Sequence, residues 1–201
     1  MAMNRSGKMR EKIVALLWES SRTLRDLASE SADIERAAAA MARCFRRKGK
    51  VVSFGNGGSA ADAQHLAAEL CGRFERERKG LPAVALTTNT SAITAIANDY
   101  DYDQIFVRQV EGFVGRGDVA VAISTSGNSA NVLAAAKLAK KRGAFIVAWT
   151  GRSGGKLKSV ADVCLRVPSD RTARIQEGHL ALLHTLCSLV EEDLFPRTKR
   201  R

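Results

Sequence analysis

The sequence predicts an α/β protein: a three-layer α-β-α sandwich on a five-stranded parallel sheet, preceded by an N-terminal helical hairpin. Five runs rich in β-branched and apolar residues recur, "VVSFG" (51–55), "AVALT" (83–87), "VAVAIST" (119–125), "FIVAWT" (145–150) and "VCLRV" (163–167). Strands that read as nearly continuous apolar runs belong to a sheet covered on both faces, which is the parallel α/β arrangement. The segments between them, 59–71, 90–97, 129–142 and 172–194, are rich in helix formers at helical spacing, as with Ile175, Leu182, Leu186 and Leu189. At 201 residues and 45% hydrophobic content, the chain has the length and apolar material for one core.

Taken in order, residues 1–50 supply two helices. Ile13, Leu16, Leu17, Leu24 and Leu27 form one apolar stripe, and Ile34, Ala37, Ala38, Met41 and Phe45 form a second after a cap expected at Ser31 to Asp33. Residues 51–195 form the α/β core and 196–201 a basic tail, all within a single domain of residues 1–201. No internal repeat or linker interrupts them. In open parallel sheets ligands lie at the carboxyl ends of the strands. Function is therefore sought at loops 55–59, 87–90, 124–129 and 150–155.

Charge narrows the class of partner. The 32 Lys and Arg against 21 Asp and Glu give +11, which favours anionic partners, whether nucleic acid, lipid head groups or phosphorylated metabolites, and charge alone does not choose among them. The basic residues are scattered apart from "RFERERK" (73–79), where acids interleave, "RCFRRKGK" (43–50) and the terminal "RTKRR", and aromatics are only 5%, so no nucleic-acid face is expected and these runs read as solvated surface. Cys44, Cys71, Cys164 and Cys187 show no C-x-x-C spacing and suit free thiols in a reducing compartment. The apolar run before Glu19 is six residues, too short for a signal sequence, and nothing approaches the ~18 residues of a membrane span. A cytoplasmic protein with no membrane partner is the expectation.

"GNGGSA" (55–60) satisfies G-x-G-x-x-G/A and follows a strand, as a dinucleotide loop does. Such a loop needs an acid at the end of the next strand for the ribose hydroxyls, and that strand here ends in "LTTNTS". A second loop, "STSGNS" (124–129), ends the third strand in hydroxyl and amide side chains and opens a helix. Backbone N–H groups at a helix start, backed by Ser and Thr, form a phosphate cup, though a Ser/Asn cap would look the same. Two hydroxyl-bearing loops at adjacent strand ends point to a sugar phosphate.

The chain has three histidines, His65, His179 and His184. His65 and Glu69 are four apart on one helix and share a face, so they can converge on an ion or substrate, as can any solvated i, i+4 pair. Gln176, His179 and His184 interrupt the apolar last helix, where a histidine is as often a satisfied core residue. Gln176 and His184 are eight apart, about 12 Å along a helix, so a single ion gripped by both implies two copies of the chain.

"SFGNGGSAADAQHLAAELCGRF", "AIANDYDYDQIF", "GDVAVAISTSGNSANV" and "RIQEGHLALLH", in this order over roughly residues 10–195, together resemble the phosphoheptose isomerases of the sugar isomerase (SIS) domain family. The resemblance implies a flavodoxin-like SIS fold and a homotetramer with active sites shared between subunits. It also implies an aldose–ketose isomerase acting on sedoheptulose 7-phosphate through an enediol, at the first step of bacterial heptose biosynthesis. By position it places one zinc ion per subunit on His65, Glu69, Gln176 and His184. Substrate contacts fall on Asn56, Gly57, Gly58, Ser59, Glu69, Asn98, Asp99, Ser124, Thr125, Ser126, Ser129 and Gln176, with Glu69 as base and His184 as acid. Arg73, one turn beyond Glu69, is a further phosphate contact or a salt-bridge partner of Glu69 or Glu77. Asp99 binds sugar hydroxyls or belongs to a turn. The alternative is a non-catalytic SIS protein that binds the replication initiator, which Phe195–Pro196 resembles and His184 argues against. A sugar-sensing regulator would need a DNA-reading helix pair ahead of the sheet, and residues 1–50 lack that pattern.

Overall fold

The computed structural model describes residues 5–196, so residues 197–201 of the expected basic tail lie outside it. Two N-terminal helices, α1 (Arg5–Asp26) and α2 (Ser31–Arg46), are joined by a short 3-10 turn. There follow β1 (Val51–Gly55), α3 (Gly58–Cys71), β2 (Ala83–Ala85), α4 (Thr90–Asp99), α5 (Val107–Phe113), β3 (Val119–Ile123), α6 (Ala130–Lys141), β4 (Phe145–Thr150), α7 (Leu157–Val160), β5 (Val163–Arg166) and α8 (Thr172–Leu194). All neighbouring strands are parallel, in the order β2-β1-β3-β4-β5. This is the flavodoxin-like order, and it reverses between β1 and β3.

The sheet is covered on both faces, which is why β1 and β3 are buried at every position. Val119, Val121 and Ile123 face a layer made by α2, α3 and α8, with Met41, Leu66, Leu70, Leu182 and Leu186. Ala120 and Ala122, one residue out of phase, face Ile105, Phe106, Val110, Val132 and Ala136 on the other side. The period of two along the strands thus separates two apolar layers. Pairing of Gly55 with Ile123 brings the ends of β1 and β3 level, so the loops that follow them start side by side.

Three expectations change. Strand β3 ends at Ile123 and β2 at Ala85, because the chain turns at the hydroxyl residues that follow. Helix α5 and the short α7 were not foreseen; each is under two and a half turns, too short for its period to stand out. The Ser31–Asp33 cap is not made: Glu30 occupies the cap position without a side-chain bond to the helix and accepts instead from Arg166. Of the first apolar stripe, Leu27 is buried, but Ile13, Leu17 and Leu24 are exposed along with Met9, Val14 and Trp18. An exposed apolar face this extended is a candidate interaction surface. Among the described residues, no helix is long and apolar enough to cross a membrane.

Candidate active site

The site grows from the reversal point. Gly57 sits at φ +56, ψ −121 at the start of α3, a left-handed geometry that L side chains rarely adopt. Its turn carries Asn56 to a position where the Asn56 and Asn131 amides bond reciprocally, at 2.9 and 3.0 Å, while the Tyr102 hydroxyl donates to Asn56 Oδ1 at 3.1 Å. Gly58 has no room for a side chain: an added Cβ would run into the Gln176 amide, approaching its Cδ at 2.8 Å. Only a flexible side-chain end would have to move. Gly58→Ala should therefore leave the melting temperature within a few degrees while displacing Gln176 and lowering activity about tenfold or more, which thermal unfolding and kinetics read separately.

Beside it, the loop after β3 folds on itself through Ser124 Oγ, 2.9 Å from Ser129 Oγ and 3.5 Å from Ser126 Oγ. Ser129 stands at the start of α6 but makes no side-chain cap bond to it. The first turn of the helix is capped instead by Asn131, whose Oδ1 accepts from the Val132 N–H, while the Leu133 N–H donates to Ser129 O. Gly127, at φ +66, lets this loop press against Gly154 and Gly155. Thr125, Ser126 and Asn128 line a cleft shared with Arg152, which pairs with Asp170 at 3.1 Å.

Helices α3 and α8 pack together and carry the ionisable groups. His65 Nε2 lies 3.1 Å from Glu69 Oε1, with their side chains 39% and 25% exposed. The His184 ring stands edge-on to His65 at 5.3 Å between centroids and is stacked by Phe74 at 5.5 Å. One chain therefore gathers His65, Glu69 and His184, while Gln176 lies against Gly58 at the start of α3. Asn98 and Asp99 lie exposed at the end of α4, bonded to each other at 3.0 Å. In the segment after them, Tyr102 reaches the loop through its bond to Asn56. Arg73 faces Glu77 at 3.6 Å, the salt-bridge alternative, and both are largely exposed. Ser59 is buried, its N–H donating to Asn56 O.

Imidazole, carboxylate and amide oxygen are zinc donors, and two donors on a tetrahedral ion with bonds of ~2.0–2.2 Å stand ~3.3 Å apart. The His65–Glu69 spacing of 3.1 Å fits that geometry. Among the described residues, no three His, Cys, Asp or Glu side chains are already drawn around one point.

Three groups of neighbours escaped the sequence reading. Asn131 and Tyr102 hold Asn56. Arg78, read as part of a solvated charged run, is buried at 1% and paired with equally buried Glu191 at 2.8 Å. Its guanidinium also caps the end of α3 by donating to the carbonyls of Glu69, Leu70 and Gly72. Asp62 and His179 face one another behind the site. Alternation of acids and bases in "RFERERK" gave no sign of which arginine turns inward.

A flavodoxin-ordered sheet with a hydroxyl-bearing loop and a helix start at its reversal point, and an imidazole–carboxylate group on two packed helices, is an arrangement suited to a phosphosugar isomerase type of α/β domain. The family model described as the SIS domain matches residues 17–151. The phosphoheptose isomerase of Geobacter sp. (strain M21) is 51% identical over 93% of this chain and 98% of its own. The solved phosphoheptose isomerase of Neisseria gonorrhoeae superposes with a TM-score of 0.87 at 46% identity, over 92% of this chain and 99% of its own. That of Francisella tularensis gives 0.88 at 39%, over 92% and 98%. The chain belongs to the SIS domain family, in its phosphoheptose isomerase branch. It is a sugar-phosphate isomerase, which sets aside the non-catalytic reading.

Proposed function

We propose that the protein interconverts sedoheptulose 7-phosphate and glycero-manno-heptose 7-phosphate through an enediol, feeding bacterial heptose biosynthesis. The observation that carries this reading is the grouping of His65, Glu69 and His184 on two packed helices. That loop and the start of α6 take the phosphate. Asn56, with the turn at Gly57 and Gly58, holds sugar hydroxyls, and Arg73, Asn98 and Asp99 complete the enclosure. A positive overall charge draws the anionic substrate in.

Glu69 accepts the proton from C1 of the ketose, and a proton returned to C2 gives the aldose. His184 passes the oxygen-bound proton between O1 and O2. His65, Glu69, Gln176 and His184 would hold one zinc ion per subunit, which when bound supplies polarisation of the substrate carbonyl. Within one chain Gln176 lies by Gly58 and His184 by His65. The four therefore close on one ion only if two subunits share a site. The open apolar face of α1, with Ile13, Leu17 and Trp18, fits the burial that a homotetramer provides.

The test is turnover. Purified protein supplied with sedoheptulose 7-phosphate should form the aldose, lose the activity on chelation, and regain it with zinc. Absence of the aldose from an intact oligomer would refute the reaction; full activity after exhaustive chelation would refute the zinc.

A further inference from the structure

Behind the site lies a second pair of ionisable groups. Asp62 is on α3, one turn before His65; His179 is on α8, one turn after Gln176. Their side chains are 15% and 0% exposed, and Asp62 Oδ2 lies 4.0 Å from His179 Nδ1. Both atoms are buried without a hydrogen-bond partner. On the far side of the ring, His179 Nε2 is 3.3 Å from the Thr150 carbonyl. A carbonyl only accepts, so Nε2 carries the hydrogen and, in the neutral ring, Nδ1 presents a lone pair.

A lone pair aimed at a carboxylate oxygen is repulsive, and a buried polar atom left unpaired is destabilising. One proton between the two atoms removes both penalties. The gap is too long for a direct hydrogen bond and is the width that a small rotation of Asp62 or one bridging water closes. Burial pushes the Asp62 carboxyl up to about 6, against the opposing charge of His65, and pushes His179 down to about 4. Both shifts run toward the neutral forms.

We propose that Asp62 and His179 are positioning residues: one proton held between Asp62 Oδ2 and His179 Nδ1 pins α3 to α8 and sets the spacing of the catalytic groups that these helices carry. Outer-shell partners that orient reacting side chains are worth about 10–100-fold.

The inference rests on the isomerase reading for its kinetics alone, and the spectroscopic arm stands without it. Asp62→Ala should lower kcat about tenfold with KM changed less than about twofold. Asp62→Asn, whose amide N–H still donates to Nδ1, should recover most of the loss. An alanine variant with full kcat, or an asparagine variant as impaired as alanine, overturns the proposal. With only three histidines in the chain, nitrogen NMR of ¹⁵N-histidine-labelled protein resolves the rings. His179 should show Nε2 protonated and Nδ1 hydrogen-bonded in the wild type, with the Nδ1 signal moving to that of a free lone pair in Asp62→Ala. A free lone pair in the wild type overturns the proposal whatever the kinetics. If Asp62→Ala fails to fold, the wild-type spectrum decides. If the wild type gives no turnover, the isomerase reading falls and the same spectrum still decides this one.

Discussion

Glu69→Gln should lower kcat on sedoheptulose 7-phosphate by about 10³, because on the proposed assignment it removes the carboxylate that takes the carbon-bound proton while keeping the size of the side chain. Positioned proton transfer is worth roughly 10²–10⁴. The loss should fall on kcat more than on KM, because the phosphate and hydroxyl contacts proposed at Ser124, Ser126 and Asn56 would be left in place. Glu69 is a quarter exposed and its recorded side-chain partner is His65, so circular dichroism and oligomeric state should be those of the wild type. A variant retaining a tenth or more of the activity would move the base to another carboxylate.

The largest effect on stability is expected at Glu191. Its carboxylate, 1% exposed, accepts from the backbone N–H groups of Phe74, Glu75 and Arg76 and from Arg78 Nε, each at 2.8–2.9 Å. This knot ties the loop after α3 to α8 and sets Phe74 on the His184 ring. Glu191→Ala leaves Arg78 charged and buried with no counter-ion, a change that costs about 3–5 kcal/mol. Denaturant unfolding should show that loss at neutral pH. The carboxyl carries a pH signature as well. Burial raises its pKa, but the three N–H groups and Arg78 outweigh burial and hold it below its ordinary 4.5. Its contribution is therefore complete above 4.5 and is lost as pH falls through the lower folded-state value. Wild type and variant should converge in stability on the acid side, and a gap that stays constant from neutral pH to about pH 3 would contradict this linkage.

Much of the site was legible because it is built from local features. A glycine turn, a run of hydroxyls before a helix and two residues four apart on one helix are set by a few neighbouring side chains. Asn56, Ser124, Ser129, His65 and Glu69 fall where those features put them. The five strands announced themselves because both faces of the sheet are buried, which makes each an unbroken apolar run. What stayed hidden depends on partners far along the chain. Asn131 meets Asn56 across 75 positions, and Arg78 meets Glu191 across 113. His179 could be read from sequence as a satisfied core residue, yet the fold leaves its Nδ1 unpaired and pointed at Asp62. The apolar stripe of α1 was recognised, but its periodicity says only that it must be covered, not by which molecule.

The most direct measurement runs the reaction in deuterated water and locates the label by NMR. Abstraction from C1 of the ketose by Glu69, with return to C2 from a proton pool in contact with solvent, places deuterium at C2 of the aldose and at C1 of recovered ketose. Both labels should vanish in Glu69→Gln. Aldose carrying solvent deuterium at C2 at an undiminished rate in Glu69→Gln would show that another group takes the carbon-bound proton, and would contradict the proposed role of the carboxylate–imidazole site.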